Sequence, residues 1–139
     1  MNADTDRFIA AVLAGDNAVT SAPAAVWPAR HTHPDSLAPH RVDVPLGEAA
    51  SKPAILDAFA QAFGMPRWFG HNWDALEECL HDLSWRPDGA MLVLVSGTAA
   101  SRQDAEILMD ILRSTCHHWQ RAGRPFHVLV DPRLLAGEP

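Results

Sequence analysis

The run AMLVLVS, residues 90–96, is continuously apolar. It lacks the alternation of a strand that shows one face to water, and it falls far short of the roughly 20 residues needed to cross a bilayer. A run of this kind is what a strand buried on both faces of a parallel sheet shows. FHVLV, residues 126–130, resembles it. Between the two, Gln103 to Arg121 places Ile107, Leu108, Ile111, Leu112, Thr115 and Trp119 on one side of a long helix, which Gly123 and Pro125 bring to an end. A strand, a helix and a second strand joined in this way cross over right-handedly, so the two runs are predicted to be parallel neighbours.

Working back toward the N-terminus, His40 to Val44 reads as a first strand. Ile55, Phe59, Ala62 and Phe63 mark a helix after it, and a second helix spans about Asn72 to Leu83. The expected fold is α/β, a small three-stranded parallel sheet flanked by helices, occupying residues 40–139 as one domain. Residues 1–39 read as a separate N-terminal arm. Its first part, Asp4 to Gly15, carries Phe8, Ile9, Val12 and Leu13 at helical spacing before a closing glycine. From Asn17 to Pro39 the prolines Pro23, Pro28, Pro34 and Pro39 scatter among small and polar residues, with room for one short strand around Val26. There is no internal repeat and no low-complexity run.

The chain has 139 residues, enough for one core, with 17 acidic against 11 basic side chains and a formal charge of −6. Lys52 is the single lysine. Holding phosphates takes a cationic surface, so direct binding of nucleic acid is not expected and a basic protein partner suits the balance better. Cys79 and Cys116 could form at most one bridge, and no basic start followed by an apolar run and a cleavage site is present. These features predict a cytoplasmic protein with reduced thiols and no membrane span.

The segment richest in chemistry is FGMPRWFGHNWDALEECLHDLSW, Phe63 to Trp85. Pro66 and Gly70 make Arg67 to His71 a tight connection that holds two aromatics, Trp68 and Phe69. Asn72 is a good N-cap for the helix that follows, and Asp74 sits in its first turn, where the helix dipole favours a negative charge. Trp73, Leu76, Leu80 and Leu83 follow helical spacing toward the core, with Ala75 and Cys79 beside them. Asp74, Glu78 and Asp82 fall at i, i+4 and i+8 and form a carboxylate stripe on another face, with Glu77 adjacent. No Lys or Arg lies between His71 and Leu83 to offset it. A solvated acidic face would account for the stripe alone. An aromatic loop beside it is the composition of an interface anchor with steering charges around it.

The run Met65-Pro66-Arg67-Trp68-Phe69-Gly70-His71-Asn72-Trp73-Asp74-Ala75-Leu76-Glu77-Glu78-Cys79-Leu80 resembles the loop and second helix of the barstar family, intracellular inhibitors of the bacterial ribonuclease barnase. The resemblance extends more loosely over roughly residues 40 to 131 and leaves the N-terminal arm without a counterpart. It implies a three-stranded parallel sheet, no catalysis, no cofactor, and a partner that is a basic ribonuclease or nuclease toxin. It further implies that Trp68 stands in for an interface tyrosine, that Gly70, Asn72 and Asp74 match interface positions, and that Glu78 stands at the family's central inhibitory aspartate. His71 and Asp82 flank these positions in the same surface. Two positions depart from the pattern: Glu77 replaces an interface tryptophan, and His118 falls where a family glutamate lies on the third helix.

The same residues bear on two other chemistries. Asp74 and Glu78, one turn apart, could form an acid and base pair, with His71 or His118 carrying protons, but no nucleophile elbow, phosphate loop or dinucleotide fingerprint accompanies them. His31 with His33, Cys79 with His81, and Cys116 with His117 and His118 contain metal-ligand types. None has the paired spacing of a structural zinc site. Trp27, Trp85 and Trp119 are expected in the core, with Trp85 close enough to the acidic helix to rim the interface.

Overall fold

The structure, a computed structural model, describes residues 3–23, Trp27 and residues 40–136. Helix α1 (Ala3–Ala14) precedes strand β1 (Val19–Ser21) and strand β2 (His40–Pro45). Helices α2 (Lys52–Phe63) and α3 (Trp73–Asp82) follow, then strand β3 (Met91–Ser96), helix α4 (Arg102–Arg121), strand β4 (Phe126–Val130) and the short helix α5 (Pro132–Ala136). The strands lie in the order β1-β4-β3-β2, every neighbouring pair parallel.

The sheet therefore has four strands where three were expected. The additional one, β1, lies inside the segment read as an irregular arm, and it pairs Val19 with Val128 and Ser21 with Val130. Three residues are too few for a period of two to show, and flanking prolines hid it further. The short strand expected around Val26 falls outside the described residues. The parallel pairing of β3 with β4, aligned from Met91 with Phe126 to Val95 with Val130, is as the apolar runs imply.

Alternation along these strands sorts their side chains onto two covered faces. On one face Met91, Val93, Val95, Phe126, Val128 and Val130 join Phe59, Leu76, Leu80, Leu108 and Leu112 from α2, α3 and α4 in the principal core. On the other, Leu92, Leu94 and Leu129 pack with Ile9 of α1, flanked by Phe8, Val12, Leu13 and Trp27. Each buried leucine or isoleucine contributes about 1.5–3 kcal/mol of hydrophobic stabilisation, so the second face favours the docked position of α1.

Local signals fix the helices that position the site. Ser51 caps α2, its hydroxyl accepting from the Ala54 amide, and Gly64 closes it in the left-handed region at φ 60°. Ser101 does the same for α4 by accepting from Asp104. The C-cap of α3 is unusual. Leu83 adopts φ 52° without being glycine, and its side chain is 1% exposed. Burial of that leucine offsets the roughly 1–2 kcal/mol that the left-handed backbone costs. At the C-terminal ends of the strands, a Cβ on Gly97 (φ 98°) would overlap the backbone of Gly47, and the two turns are joined by a 2.9 Å bond from the Thr98 amide to the Gly47 carbonyl.

Asn17 ties the N-terminal segment to the rest. Its Nδ2 donates to the Cys116 and Arg124 carbonyls at 3.2 and 2.8 Å, and its Oδ1 accepts from the Phe126 amide at 2.9 Å. Its own backbone amide donates to Gln120 Oε1 at 2.7 Å. One side chain thus replaces a missing strand partner for the start of β4 and satisfies carbonyls at the end of α4. Asn17→Ala is expected to lower the unfolding free energy by about 2 kcal/mol, because the Phe126 amide and the two carbonyls lose their partner together. A urea titration with an unchanged slope and a lower midpoint would show it.

Candidate functional site

The loop between α2 and α3 separates its two aromatics. Phe69 is buried in the core and Trp68 is 59% exposed, the one large apolar side chain so exposed among the described residues. Trp68 is not loose. It meets Trp85 edge-on with ring centroids 6.3 Å apart, and Trp85 is itself fixed by its indole N–H donating to the Phe63 carbonyl at 2.9 Å. Arg86 Nη1 donates to the same carbonyl at 3.0 Å and covers the Phe63 ring. The end of α2 and the turn after α3 therefore hold the loop between them.

His71 completes the bracing. It takes φ 51°, and its ring lies 4.6 Å from that of Phe69. Nδ1 is 3.2 Å from the Phe69 carbonyl, while Nε2 lies 3.4 Å from an Asp57 oxygen on α2. Asp57 gave no signal in the sequence, since only the fold brings α2 beside the loop. Gly70 has little room to change, because a Cβ there would stand 3.3 Å from Asn72 Nδ2 and 3.6 Å from the Ala75 Cβ. Asn72 caps α3 as its position implied, with Oδ1 accepting from the Ala75 amide at 2.7 Å.

On α3, Leu76, Cys79 and Leu80 face the core, and Trp73 is half-buried beneath Lys52, whose Nζ lies 5.8 Å from the ring. Asp74, Glu78 and Asp82 are exposed, and among the described residues no Lys or Arg lies within 4 Å of them. Asp82 accepts a 3.1 Å bond from the Ser84 hydroxyl, leaving its charge uncompensated. Loop and helix thus carry an exposed indole on a braced turn and three exposed carboxylates along the helix that follows it. Burial, with Glu78 and Asp82 adding to it, pushes the Cys79 thiol up, and burial pushes Cys116 up to about 12. Both thiols are free and neutral.

Glu77 and His118 lie to one side of that stripe. Glu77 is half-buried, next to His81, and the His81 ring stacks on His118 of α4 at 4.4 Å and 16° between planes. His81 Nε2 is 3.3 Å from the Ser114 hydroxyl. Burial, then the charge of His118, lowers the pKa of His81, and Glu77 partly opposes them. His118 also meets the edge of Trp119, whose indole donates to the Leu80 carbonyl at 2.9 Å. The stacked histidines were not foreseen: residues 81 and 118 are distant in sequence, and only the packing of α3 on α4 joins them. Cys79 and Cys116 are buried, whereas His81 is half-buried and His117 exposed. No three His, Cys, Asp or Glu side chains converge as a metal set among the described residues, and His31 and His33 lie outside them.

These features define a class: a small α/β domain with an all-parallel sheet, whose exposed chemistry lies on one helix and the loop that introduces it. Residues 40–131, about two thirds of the chain, match the family described as Barstar (barnase inhibitor), and the chain belongs to the barstar family. No curated protein gives a significant match. No described helix is long and apolar enough to cross a membrane.

Removing the cap and removing the indole should differ in their effect on stability. Asn72→Ala is expected to cost about 1 kcal/mol of stability through the orphaned Ala75 amide. Trp68→Ala, at a mostly exposed position, should stay within about 0.5 kcal/mol of the parent. Chemical denaturation of both variants checks the pair.

Proposed function

We propose that this protein is an intracellular inhibitor that binds a basic ribonuclease, or a related basic nuclease toxin, and blocks its active site without catalysing a reaction. The observation that carries the reading is the carboxylate stripe of Asp74, Glu78 and Asp82, uncompensated by any described cation and adjoining the braced, exposed Trp68. Family membership adds to it, since the family is described by its inhibition of barnase.

The physics is substitution. A ribonuclease active site presents cationic groups to hold RNA phosphates, and carboxylates fixed on a capped helix offer the same groups an alternative set of anions. Opposite fields speed the encounter and weaken with ionic strength. In this reading Glu78 enters the phosphate site, Asp74 and Asp82 flank it, and Trp68 supplies apolar contact. Gly70, His71 and Asn72 shape the loop, while Glu77 and His118 edge the surface and bear on which nuclease fits. The protein acts in the cytoplasm with Cys79 and Cys116 reduced, and residues 1–39 extend the domain of residues 40–139 as an arm whose α1 and β1 pack on its sheet.

The test uses the purified protein to capture basic proteins from its own cells and secretions, followed by ribonuclease assays of the captured protein with and without it. Silencing at an equal molar ratio is the expected result. A captured partner without nuclease activity would instead make this a barstar-fold binding module with a different target.

Glu78→Ala is expected to weaken binding by about 3 kcal/mol, roughly a hundred-fold in Kd, because a partner cation is left buried and unpaired. Glu48 supplies the control. It bonds Arg133 at 3.0 Å, and both side chains are largely exposed, so Glu48→Ala should change Kd by less than about 0.5 kcal/mol. Equal losses from the two substitutions, measured by calorimetry, would rule out α3 as the docking helix.

A further inference from the structure

On the second face of the sheet, beneath α1, the two central strands bury Leu92, Leu94 and Leu129 together with one polar side chain, while β2 beside them carries Arg41 and Asp43, paired with each other at 3.1 Å. His127 is the second residue of β4, 1% exposed, on the same side of the strand as Leu129 and paired across to Leu92. Leu92, Leu94, Leu129 and Ile9 around this layer are each 0–1% exposed. Nδ1 of His127 is buried and has no hydrogen-bond partner among the described residues. A cavity of about 170 Å³ adjoins the ring where α1 ends, lined by Leu13, Gly15, Asn17, Gln120 and Arg124 among others.

We infer that His127 is a proton-operated latch for the N-terminal segment: the neutral ring lets α1 dock on the back of the sheet, and a second ring proton drives α1 off. The inference is independent of the target-binding reading, because α1 and α3 cover opposite faces of the sheet.

The groups facing the ring favour this outcome. From α1 come Leu13 and the turn at Gly15, from α4 Gln120, from β3 Leu92, and from the turn before β4 Arg124. Beyond Leu92 on the same face, Arg41 of β2 is paired with Asp43, and Asp16, between Gly15 and Asn17, lines the neighbouring groove. Arg124 has the wrong sign to accept an imidazolium. Its guanidinium is also turned away, donating to the Gly89 and Pro87 carbonyls at 2.8 and 3.2 Å and lying over the Trp119 ring. No carboxylate lines the cavity. A charge formed there is desolvated and unpaired, whereas release of α1 returns the ring to water.

The direction follows from proton linkage. Burial alone lowers the pKa of His127 from 6.5 in the docked state, and the released state has the ordinary value. The released state therefore binds more protons, and docking is fully favourable above about pH 7. Docking weakens by up to ten-fold per pH unit as the pH falls below 6.5, until the lowered docked pKa is reached. Between pH 7.5 and 5.5 the docking constant should therefore drop, by at most about ten-fold.

His81 also has a lowered pKa, on the α3–α4 side, so the readout must be local to α1. Hydrogen exchange of the full chain, corrected for intrinsic rates, serves. Amides of α1 are expected to lose protection from pH 7.5 to 5.5, by up to about ten-fold, and His127→Leu should abolish the loss while α1 stays protected. Equal protection at both pH values in the parent, or the same loss in His127→Leu, overturns the latch. If His127→Leu does not fold, reciprocity supplies a second measurement. Ile9→Ala weakens docking, so an NMR titration of the His127 ring must show its pKa rising toward 6.5. An unmoved value also overturns it.

Discussion

Two central strands that bury side chains on both faces require two covers, and that requirement organises this molecule. β3 and β4 present Val93, Val95, Val128 and Val130 to one side and Leu92, Leu94 and Leu129 to the other. Helices α2, α3 and α4 answer the first set. Only α1 among the described helices answers the second, so α1 and β1 belong to the packing of the sheet. Asn17 secures the return from α1 to the sheet by bonding both the end of α4 and the start of β4.

The surface chemistry depends on the same core. Packing of Leu76, Cys79 and Leu80 turns Asp74, Glu78 and Asp82 outward, and the buried Phe69 anchors the loop that leaves Trp68 in water. Burial of Leu83 allows α3 to end in a left-handed residue without glycine, which sends the chain back so that Trp85 can support Trp68. A rigid display of charge on a helix reduces the ordering that association would otherwise require.

How much of this was legible follows from the range of each signal. Continuous apolar runs and helical spacing are local, so β3, β4, α3 and α4 were readable, as was the Asn72 cap. The acidic stripe was readable because i, i+4 spacing is itself local. Three residues of β1 carry no period, and their pairing with β4 spans more than a hundred positions. The stacking of His81 on His118 and the contact of Asp57 with His71 are likewise products of helix packing, which no short window contains. Glu77 and His118 were readable as departures from a family pattern; that they lie together beside His81 was not. His127 read as one more residue of a buried strand, and its lack of a partner appears only when both covers are in place.

The strand order has a consequence for association. In the described sheet the outer positions are β1 and β2, and the addition of β1 replaces a five-residue border strand by one of three. So short a border offers few free amides and carbonyls to another chain. The opposite border carries the paired charges of Arg41 and Asp43 and ends in Pro45, which has no amide hydrogen to give. One described border is thus short and the other charged and proline-ended, and both features oppose end-to-end addition of these sheets into ribbons.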